Sequence, residues 1–194
     1  MKQVCIFCGS YKGSQPIYMT AAHDMGKGLA QRDLGLVYGG GRVGLMGAVA
    51  DGTLAGGGKV IGIIPQSLVD RELAHTGLSE LRVVGSMHTR KAIMAEIADA
   101  FIAMPGGFGT LDELFEIITW AQLGFHHKPI ALLNVGGYFD PMLTFIEHMA
   151  TEGFIKPEHR NAMLVKNTVD DLLDTLLTYQ PPALEKWIKK PEEL

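Results

Sequence analysis

A glycine-rich run followed at short spacing by an acid is the segment of this sequence best suited to chemistry. It reads Pro-Gly-Gly-Phe-Gly-Thr from Pro105 to Thr110, and Glu113 follows three residues later. The run joins an apolar segment, predicted to be a strand, to a helix predicted to begin near Thr110. Glycines expose backbone N–H groups and a helix N-terminus adds partial positive charge, so the run predicts a phosphate-binding loop. Thr110 can cap the helix or donate to a phosphate oxygen.

Glu113, at the end of this run, cannot itself bind the phosphate. It lies one turn inside the predicted loop, where its carboxylate would repel a phosphate. We therefore expect Glu113 to interact with another part of the ligand, such as a sugar carbon that becomes positively charged during bond cleavage. Asp112 is interpreted as compensation of the helix dipole. No Lys-Ser/Thr follows the last glycine, so the run is not a Walker A loop and ATP hydrolysis is disfavoured.

The basic pair Arg90-Lys91 supplies the complementary charge. Both residues fall in the early turns of a helix predicted over 87–98, where the helix dipole disfavours cations. A helix that accepts this local cost often has an anion to bind. The guanidinium of Arg90 is suited to bind a phosphate or a carboxylate by donating two parallel hydrogen bonds. An ordinary surface ion pair is the alternative.

Two further loops contain glycine and small polar residues. The segment Gly39–Gly47 contains G-x-G-x-x-G, but it follows the second predicted strand, and the next strand ends in Pro-Gln without an acid for the ribose of NAD. It is interpreted as a tight strand-to-helix turn able to line a nucleotide-sized site. The segment Gly9–Ser14 lets the backbone approach a ligand, with Ser10 as a donor, although a plain turn explains it equally well.

Short apolar runs alternate with amphipathic stretches and predict the elements that position these loops. Continuous apolar strands separated by helices predict an α/β fold, a Rossmann-like, doubly wound parallel sheet with helices on both faces. One domain is expected over 1–180, with a C-terminal tail over 181–194. Ligands of this fold class bind at the carboxyl ends of the strands. Strands are predicted at 4–8, 36–38, 60–64, 81–84, 101–104, 130–133 and, more weakly, 163–165; helices at 16–32, 45–54, 87–98, 110–123, 138–152 and 168–179.

Composition narrows the class of protein. The 194 residues carry a net charge of −4, and 47% of them are hydrophobic. Glycine accounts for 24 of the 194 residues, a larger fraction than the usual value of about 7%. These values exclude disorder, and they give no reason to expect binding to nucleic acid or to an anionic membrane. Cys5 and Cys8 lie in a predicted strand, where they point to opposite faces, so buried free thiols and a cytoplasmic location are expected. The seven histidines are scattered, so no metal site is predicted.

These motifs resemble the LONELY GUY (LOG) family, the cytokinin-activating phosphoribohydrolases formerly mislabelled as lysine decarboxylases. The family signature P-G-G-x-G-T-x-x-E is complete from Pro105 to Glu113, and M-x-x-R-K matches Met87 to Lys91. The resemblance implies a homodimer without a cofactor, with its site near the subunit interface, and it implies Arg90 and Glu113 as catalytic residues. The residues expected to contact the substrate are Ser10, Gly41, Glu72, Arg90, Lys91, Gly106, Gly107, Phe108, Gly109, Thr110, Leu111, Asp112, Glu113 and Thr119.

The implied reaction is hydrolysis of the N-glycosidic bond of a nucleoside 5′-monophosphate, giving free base and ribose 5-phosphate. Glu113 would stabilise an oxocarbenium-like sugar, either as a nucleophile or by activating water, and the sequence leaves both routes open. Two other functions remain open: a non-catalytic nucleotide or molybdenum-cofactor carrier, and an enzyme like the nucleoside deoxyribosyltransferases. Prenylated AMP, plain AMP and other purine monophosphates all remain candidate substrates. Met87, Met104, Trp120 and the 65–80 segment are candidates for the base pocket.

Overall fold

A parallel sheet forms the centre of the molecule. The computed structural model describes residues 1–71, 73–161 and 163–180. Within them, seven strands pair in the order β4-β3-β2-β1-β5-β6-β7, and every neighbouring pair is parallel. The strands are β1 (Gln3–Phe7), β2 (Gly35–Tyr38), β3 (Val60–Pro65), β4 (Glu80–Val84), β5 (Ala100–Ala103), β6 (Ile130–Leu133) and β7 (Met163–Lys166).

Helices cover the two faces of this sheet. The core on one face includes side chains of the first two helices and the last, and the core on the other includes those of the fourth and fifth. The helices are α1 (Pro16–Gln31), α2 (Gly44–Ala55), α3 (Gln66–Val69), α4 (Met87–Ile97), α5 (Phe108–Leu123), α6 (Asp140–Thr151), α7 (Pro157–Asn161) and α8 (Val169–Leu177), with a 3₁₀ turn at Val135–Gly137. None of these helices is long and apolar enough to cross a membrane.

The strand order places a crevice at the middle of the sheet. The chain builds outward from β1 through β4, then returns to β5 on the other side of β1 and builds outward through β7. The direction of winding therefore reverses between β1 and β5. Ligands of such folds bind outside the carboxyl ends of the strands at this switch point. The loops that follow β1 and β5 are the ones in which the sequence places Ser10 and the run from Gly106 to Glu113.

The two cysteines confirm the strand alternation. Cys5 belongs to the core beneath α4 and α5, whereas Cys8 belongs to the core beneath α1 and α2. Both thiols are free and buried. Burial raises the pKa of each thiol well above its usual value, so neither is a thiolate nucleophile near neutral pH.

The predicted α/β fold is confirmed, including the weak seventh strand, with two short helices added. α3 and α7 have four and five residues, too few to show an apolar period. The predicted start of α5 at Thr110 is wrong by two residues, because the extended backbone of Gly107 caps a helix that begins at Phe108. The predicted tail over 181–194 lies outside the described residues.

Candidate active site

Three loops meet at the carboxyl edge of the sheet. The Gly9 N–H after β1 donates to the carbonyl of Pro105 after β5, at 3.0 Å. The Gly9 carbonyl in turn accepts from the Leu45 N–H in the first turn of α2, also at 3.0 Å. The loops after β1, β2 and β5 therefore form one continuous surface. The sequence predicts each of these loops on its own, from its glycines. The surface lies at the switch point of the sheet.

An ion pair between the two predicted catalytic residues lies beneath this surface. Arg90 projects from the first turns of α4, and Glu113 projects from the second turn of α5. The Arg90 Nη2 atom lies 3.2 Å from Glu113 Oε1, and both side chains are 9% exposed. The structure gives this one short contact rather than the two parallel hydrogen bonds that Arg90 could form. Residues 23 positions apart are thus brought together by two neighbouring strand-to-helix loops.

Gly39, at the end of β2, makes room for the guanidinium. A Cβ atom at this position would overlap the Arg90 Nη2 atom and lie 2.7 Å from its Cζ. It would also lie 2.8 Å from the Met46 Cε atom, so the space is closed on two sides. The Arg90 Nε atom is buried without a hydrogen-bond partner among the described residues. The position of Arg90 is therefore fixed by close packing against Gly39 as well as by its ion pair with Glu113. Its Nε–H group remains available to donate a hydrogen bond.

Burial perturbs the titration of Glu113. Desolvation raises the pKa of its carboxyl above the ordinary 4.5, the positive charge of Arg90 opposes this rise, and the charge of Asp112 adds to it. A buried carboxylate whose pKa is shifted by desolvation and by a specific charged partner is a candidate functional group, because such shifts are concentrated at active sites. This environment distinguishes Glu113 from Asp112, which lies exposed on the same helix.

The start of α5 presents unsatisfied backbone donors to solvent. The first bond of the helix runs from the Leu111 N–H to the Gly107 carbonyl, at 3.1 Å. The N–H groups before Leu111 have no partner within the helix, as at any helix N-terminus. Gly107, Phe108 and Gly109 are exposed, whereas Thr110 is 3% exposed and packs against Gly106. Thr110 is therefore not the helix cap that the sequence allowed.

Lys91 and two acids form a second charged group beside the ion pair. The Lys91 Nζ atom lies 3.0 Å from Asp112 Oδ2 and 3.1 Å from Glu116 Oε1. Burial lowers the pKa of Lys91, but the hydrogen bonds to both carboxylates outweigh it and leave the pKa raised. The dipole interpretation of Asp112 is therefore incomplete, because its carboxylate also fixes Lys91. These two ion pairs connect α4 to α5, as the Arg90–Glu113 pair also does.

The other predicted contact residues divide by location. Ser10 is exposed after β1, and Gly41 is buried after β2, where its carbonyl accepts from the Tyr38 hydroxyl at 3.1 Å. Thr119 is exposed almost two turns beyond Glu113, and its hydroxyl donates to the Phe115 carbonyl. Glu72 lies outside the described residues.

Two findings change the residues expected around the site. Met104 is fully buried in the core, so its expected place in a base pocket is wrong. Tyr138, which the sequence placed only at the start of a helix, donates its hydroxyl to the Gly106 carbonyl. Among the described residues, no group of three or more His, Cys, Asp or Glu side chains could hold a metal ion.

Comparison with known proteins identifies close relatives. A family model described as "Possible lysine decarboxylase" matches residues 46–176. The chain is 52% identical over 181 residues to "Probable cytokinin riboside 5′-monophosphate phosphoribohydrolase LOGL5" of Oryza sativa, covering 93% of this chain and 74% of the relative. It is 50% identical over 180 residues to the phosphoribohydrolase LOG3 of Arabidopsis thaliana, covering 93% and 84%.

Solved structures share the fold at lower identity. A molybdenum cofactor binding protein from Rippkaea orientalis superimposes with a TM-score of 0.71 at 22% identity, covering 92% of this chain and 97% of the other. The molybdenum cofactor carrier protein of Chlamydomonas reinhardtii gives a TM-score of 0.70 at 19% identity, covering 92% and 99%. At such identity the likeness concerns the fold alone.

Proposed function

The chain belongs to the LOG family of cytokinin riboside 5′-monophosphate phosphoribohydrolases, and we propose that it hydrolyses the N-glycosidic bond of an N6-modified adenosine 5′-monophosphate. The products are the free base and ribose 5-phosphate. Relatives with this activity in their names are about half identical over 93% of the chain. The observation that carries the proposal is the buried Arg90–Glu113 pair behind the free N-terminus of α5.

The start of α5 supports a site for the 5′-phosphate. Its exposed N–H groups and the positive end of the helix dipole favour an anion there. Gly109 and Glu113 stand four residues apart on one helix face, roughly 6 Å along the helix axis. A nucleotide whose phosphate lies at the helix start then places its sugar near Glu113 and Arg90. Gly106 to Thr110 would hold the phosphate, with Ser10, Gly41, Glu72, Lys91, Leu111, Asp112 and Thr119 as further proposed contacts.

Cleavage of the glycosidic bond leaves positive charge on the anomeric carbon, and the base departs with the bonding electron pair and takes up a proton from solvent to become the neutral free base. The Glu113 carboxylate stabilises that charge either by bonding to the carbon, after which water releases the sugar, or by taking a proton from an attacking water. Both routes need Glu113 as a carboxylate. The positive charge of Arg90 favours that form, because it lowers the pKa of Glu113 against the effect of burial.

The words "lysine decarboxylase" in the description of the family model do not fit the lysine at this site. A lysine that forms a Schiff base with pyridoxal phosphate needs an ammonium that is readily deprotonated. Lys91 has the opposite environment, because Asp112 and Glu116 raise its pKa. The charges around Lys91 suit a fixed cation near a phosphorylated substrate.

A product assay tests the activity. Purified protein is incubated with isopentenyl-AMP and with AMP, and both the free base and ribose 5-phosphate are measured. We expect the two products to appear in equal amounts, with faster turnover of the N6-modified nucleotide. Intact nucleotide bound tightly in every reaction would indicate a carrier instead. Exchange with a second added nucleobase, without any need for the 5′-phosphate, would indicate a transferase.

The exposed face of α5 and α6 supports the proposal that the chain is a homodimer. An apolar groove of about 310 Å³ is lined by Phe115, Ile118, Phe145 and Met149, and Phe145 is 59% exposed. Exposed apolar side chains gathered in one groove are typical of the core of a protein contact. The groove also includes Thr119, so a second copy of the chain bound there would lie beside the proposed substrate site.

Sedimentation equilibrium tests the dimer. We expect twice the chain mass for the unaltered protein and a shift toward the monomer for Phe145→Asp. Leu177→Asp is the matched control, because Leu177 is an exposed apolar residue at the end of α8, which covers the opposite face of the sheet. A monomeric unaltered protein with full turnover would contradict the dimer, as would equal effects of the two substitutions.

A cytoplasmic location and a small-molecule partner complete the proposal. The free thiols of Cys5 and Cys8 are typical of a reducing compartment. The net charge of −4 lacks the excess of positive charge that is typical of proteins that bind nucleic acid.

A further inference from the structure

Tyr138 reaches the proposed phosphate loop from a strand outside the switch point. It follows β6, whereas the loop from Pro105 to Gly107 follows β5. Its hydroxyl donates to the Gly106 carbonyl across 2.5 Å. Because Gly106 and Gly107 share one peptide group, this bond fixes the orientation of the group whose N–H belongs to the residue that caps α5.

The geometry of that peptide gives the bond a functional consequence. In a planar trans peptide the carbonyl and the N–H point in opposite directions. With the carbonyl of Gly106 held toward Tyr138, the N–H of Gly107 points away from Tyr138 as a donor. Rotation of the peptide by half a turn would exchange them and present a carbonyl oxygen, which repels an anion.

The loop cannot hold this orientation with its own side chains. Gly106 has to be glycine, because a Cβ atom there would overlap the Thr110 hydroxyl and lie 2.8 Å from the Gly9 nitrogen. Gly107 lacks a side chain as well, and glycine pairs rotate more freely than other residues. A side-chain restraint on this peptide therefore has to come from another part of the chain. Among the described residues, Tyr138 is the side chain that hydrogen-bonds to this carbonyl.

Tyr138 is itself held in place by a hydrogen-bonded turn. Gly136 and Gly137 both adopt left-handed backbone conformations, with φ of 63° and 70°, which reverses the chain directly after β6. The Asn134 side chain, only 6% exposed as a residue, accepts from the Phe139 N–H and donates to Asp140 Oδ1, both at 2.7 Å. The turn carrying Tyr138 is thus clamped on both sides.

Ring packing fixes the tyrosine further. The Tyr18 ring meets the Tyr138 ring edge to face, with centroids 5.7 Å apart, and Phe139 meets it at 5.1 Å. Tyr138 remains 39% exposed, so its ring forms part of the surface beside the loop. An aromatic ring held by two others and ending in a hydroxyl bonded to the loop is a built support rather than a chance surface contact.

We propose that Tyr138 is a positioning residue for the 5′-phosphate, holding the Gly106–Gly107 peptide so that its N–H faces the anion. It does not touch the reacting carbon. The inference rests on the proposed function insofar as the anion is the phosphate of the substrate. It adds a residue from the β6 loop to a site otherwise built from the loops after β1, β2 and β5 and from α4 and α5.

The test is Tyr138→Phe, which keeps the ring and removes only the donor. We expect the affinity for inorganic phosphate and for ribose 5-phosphate, measured by calorimetry, to fall roughly threefold to tenfold, the usual effect of one lost hydrogen bond. The KM for the nucleotide should rise by a similar factor while kcat stays within about twofold, because Glu113 and Arg90 are unchanged. Slow cleavage of the unphosphorylated nucleoside should not change.

Tyr179→Phe is the matched control, since Tyr179 follows α8, which runs back toward the amino edge of the sheet, away from the loops. Unaltered phosphate affinity in Tyr138→Phe overturns the inference, and so does an equal loss toward nucleotide and nucleoside. A protein that releases base and ribose 5-phosphate but shows either result leaves the proposed function standing. An unaltered protein that neither binds ribose 5-phosphate nor cleaves the nucleotide overturns both.

Discussion

Replacing Glu113 by glutamine is expected to lower kcat for nucleotide hydrolysis about 10²-fold or more, the usual effect of removing a general base or nucleophile. The amide has nearly the same shape as the carboxylate and can still accept from Arg90, so the fold should persist. The amide cannot form the glycosyl ester that a nucleophilic carboxylate forms with the anomeric carbon, and it cannot take a proton from water. Release of free base and ribose 5-phosphate under saturating nucleotide measures the loss.

Binding and folding should survive this substitution, which separates a chemical role from a structural one. We expect the affinity for ribose 5-phosphate to change little, because the start of α5 is unaltered. Glu147→Gln is the matched control, since Glu147 of α6 forms an exposed ion pair with Arg160 of α7. A folded Glu113→Gln protein with near-normal turnover would contradict the assignment of Glu113 to the reaction.

Glu113→Ala should behave differently from Glu113→Gln in stability. Removing one partner of a buried ion pair leaves an uncompensated charge, which typically costs about 3–5 kcal/mol. Alanine leaves the Arg90 guanidinium in that state, whereas glutamine keeps a polar partner beside it. The contrast between the two variants explains why glutamine is the informative replacement for kinetics.

The fold could be predicted from the sequence because its signals are local. Runs such as 101–104 and 130–133 are continuously apolar, and helices of about 11–16 residues separate most of the strands, which indicates a parallel sheet covered on both faces. The short α3 and α7 lack that signal. The start of α5 was misplaced because Phe108 and Gly109 are weak helix formers, so Thr110 was the first residue with a recognisable capping signal.

The candidate site could be predicted in its residues but not in its contacts. Arg90 stands out as a cation in the first turns of a helix, and Glu113 as an acid after a glycine loop. Their direct pairing depends on the neighbouring positions of α4 and α5 over the sheet, which no local pattern gives. The overlap that a side chain at Gly39 would make with Arg90, and the bond from Tyr138 to Gly106, are likewise contacts between distant segments.

Removing the charge of Arg90 is expected to have an effect comparable to that of removing Glu113, with a different pH dependence. In Arg90→Met, turnover at pH 7 should fall about 10²-fold, the usual cost of losing a group that stabilises charge in the reaction. Burial already raises the pKa of Glu113, and Arg90 opposes that rise. Without Arg90 the pKa of Glu113 rises further, so the carboxylate forms only at higher pH.

The sign of the pH effect follows from the required form of Glu113. The rate increases with pH as the carboxylate forms, so the acidic limb of the kcat profile should move to higher pH in Arg90→Met, and part of the lost activity should return on alkaline titration. Arg82→Met is the matched control, because Arg82 lies on the edge strand β4 and pairs with Glu80. Loss of activity without any movement of the limb would mean that Arg90 does not act through the carboxylate.

Gly39→Ala tests the same conclusion without altering either charged group. The added Cβ would occupy the position of the guanidinium, so Arg90 has to move away from Glu113 or β2 has to shift. If Arg90 supports the carboxylate form through its position, the variant should show the same displacement of the acidic limb as Arg90→Met, with a smaller loss of turnover because the charge remains nearby. A lower Tm with an unmoved limb would instead mean that Gly39 serves only the packing of the loop. The pair of variants therefore separates the presence of the cation from its placement against Glu113.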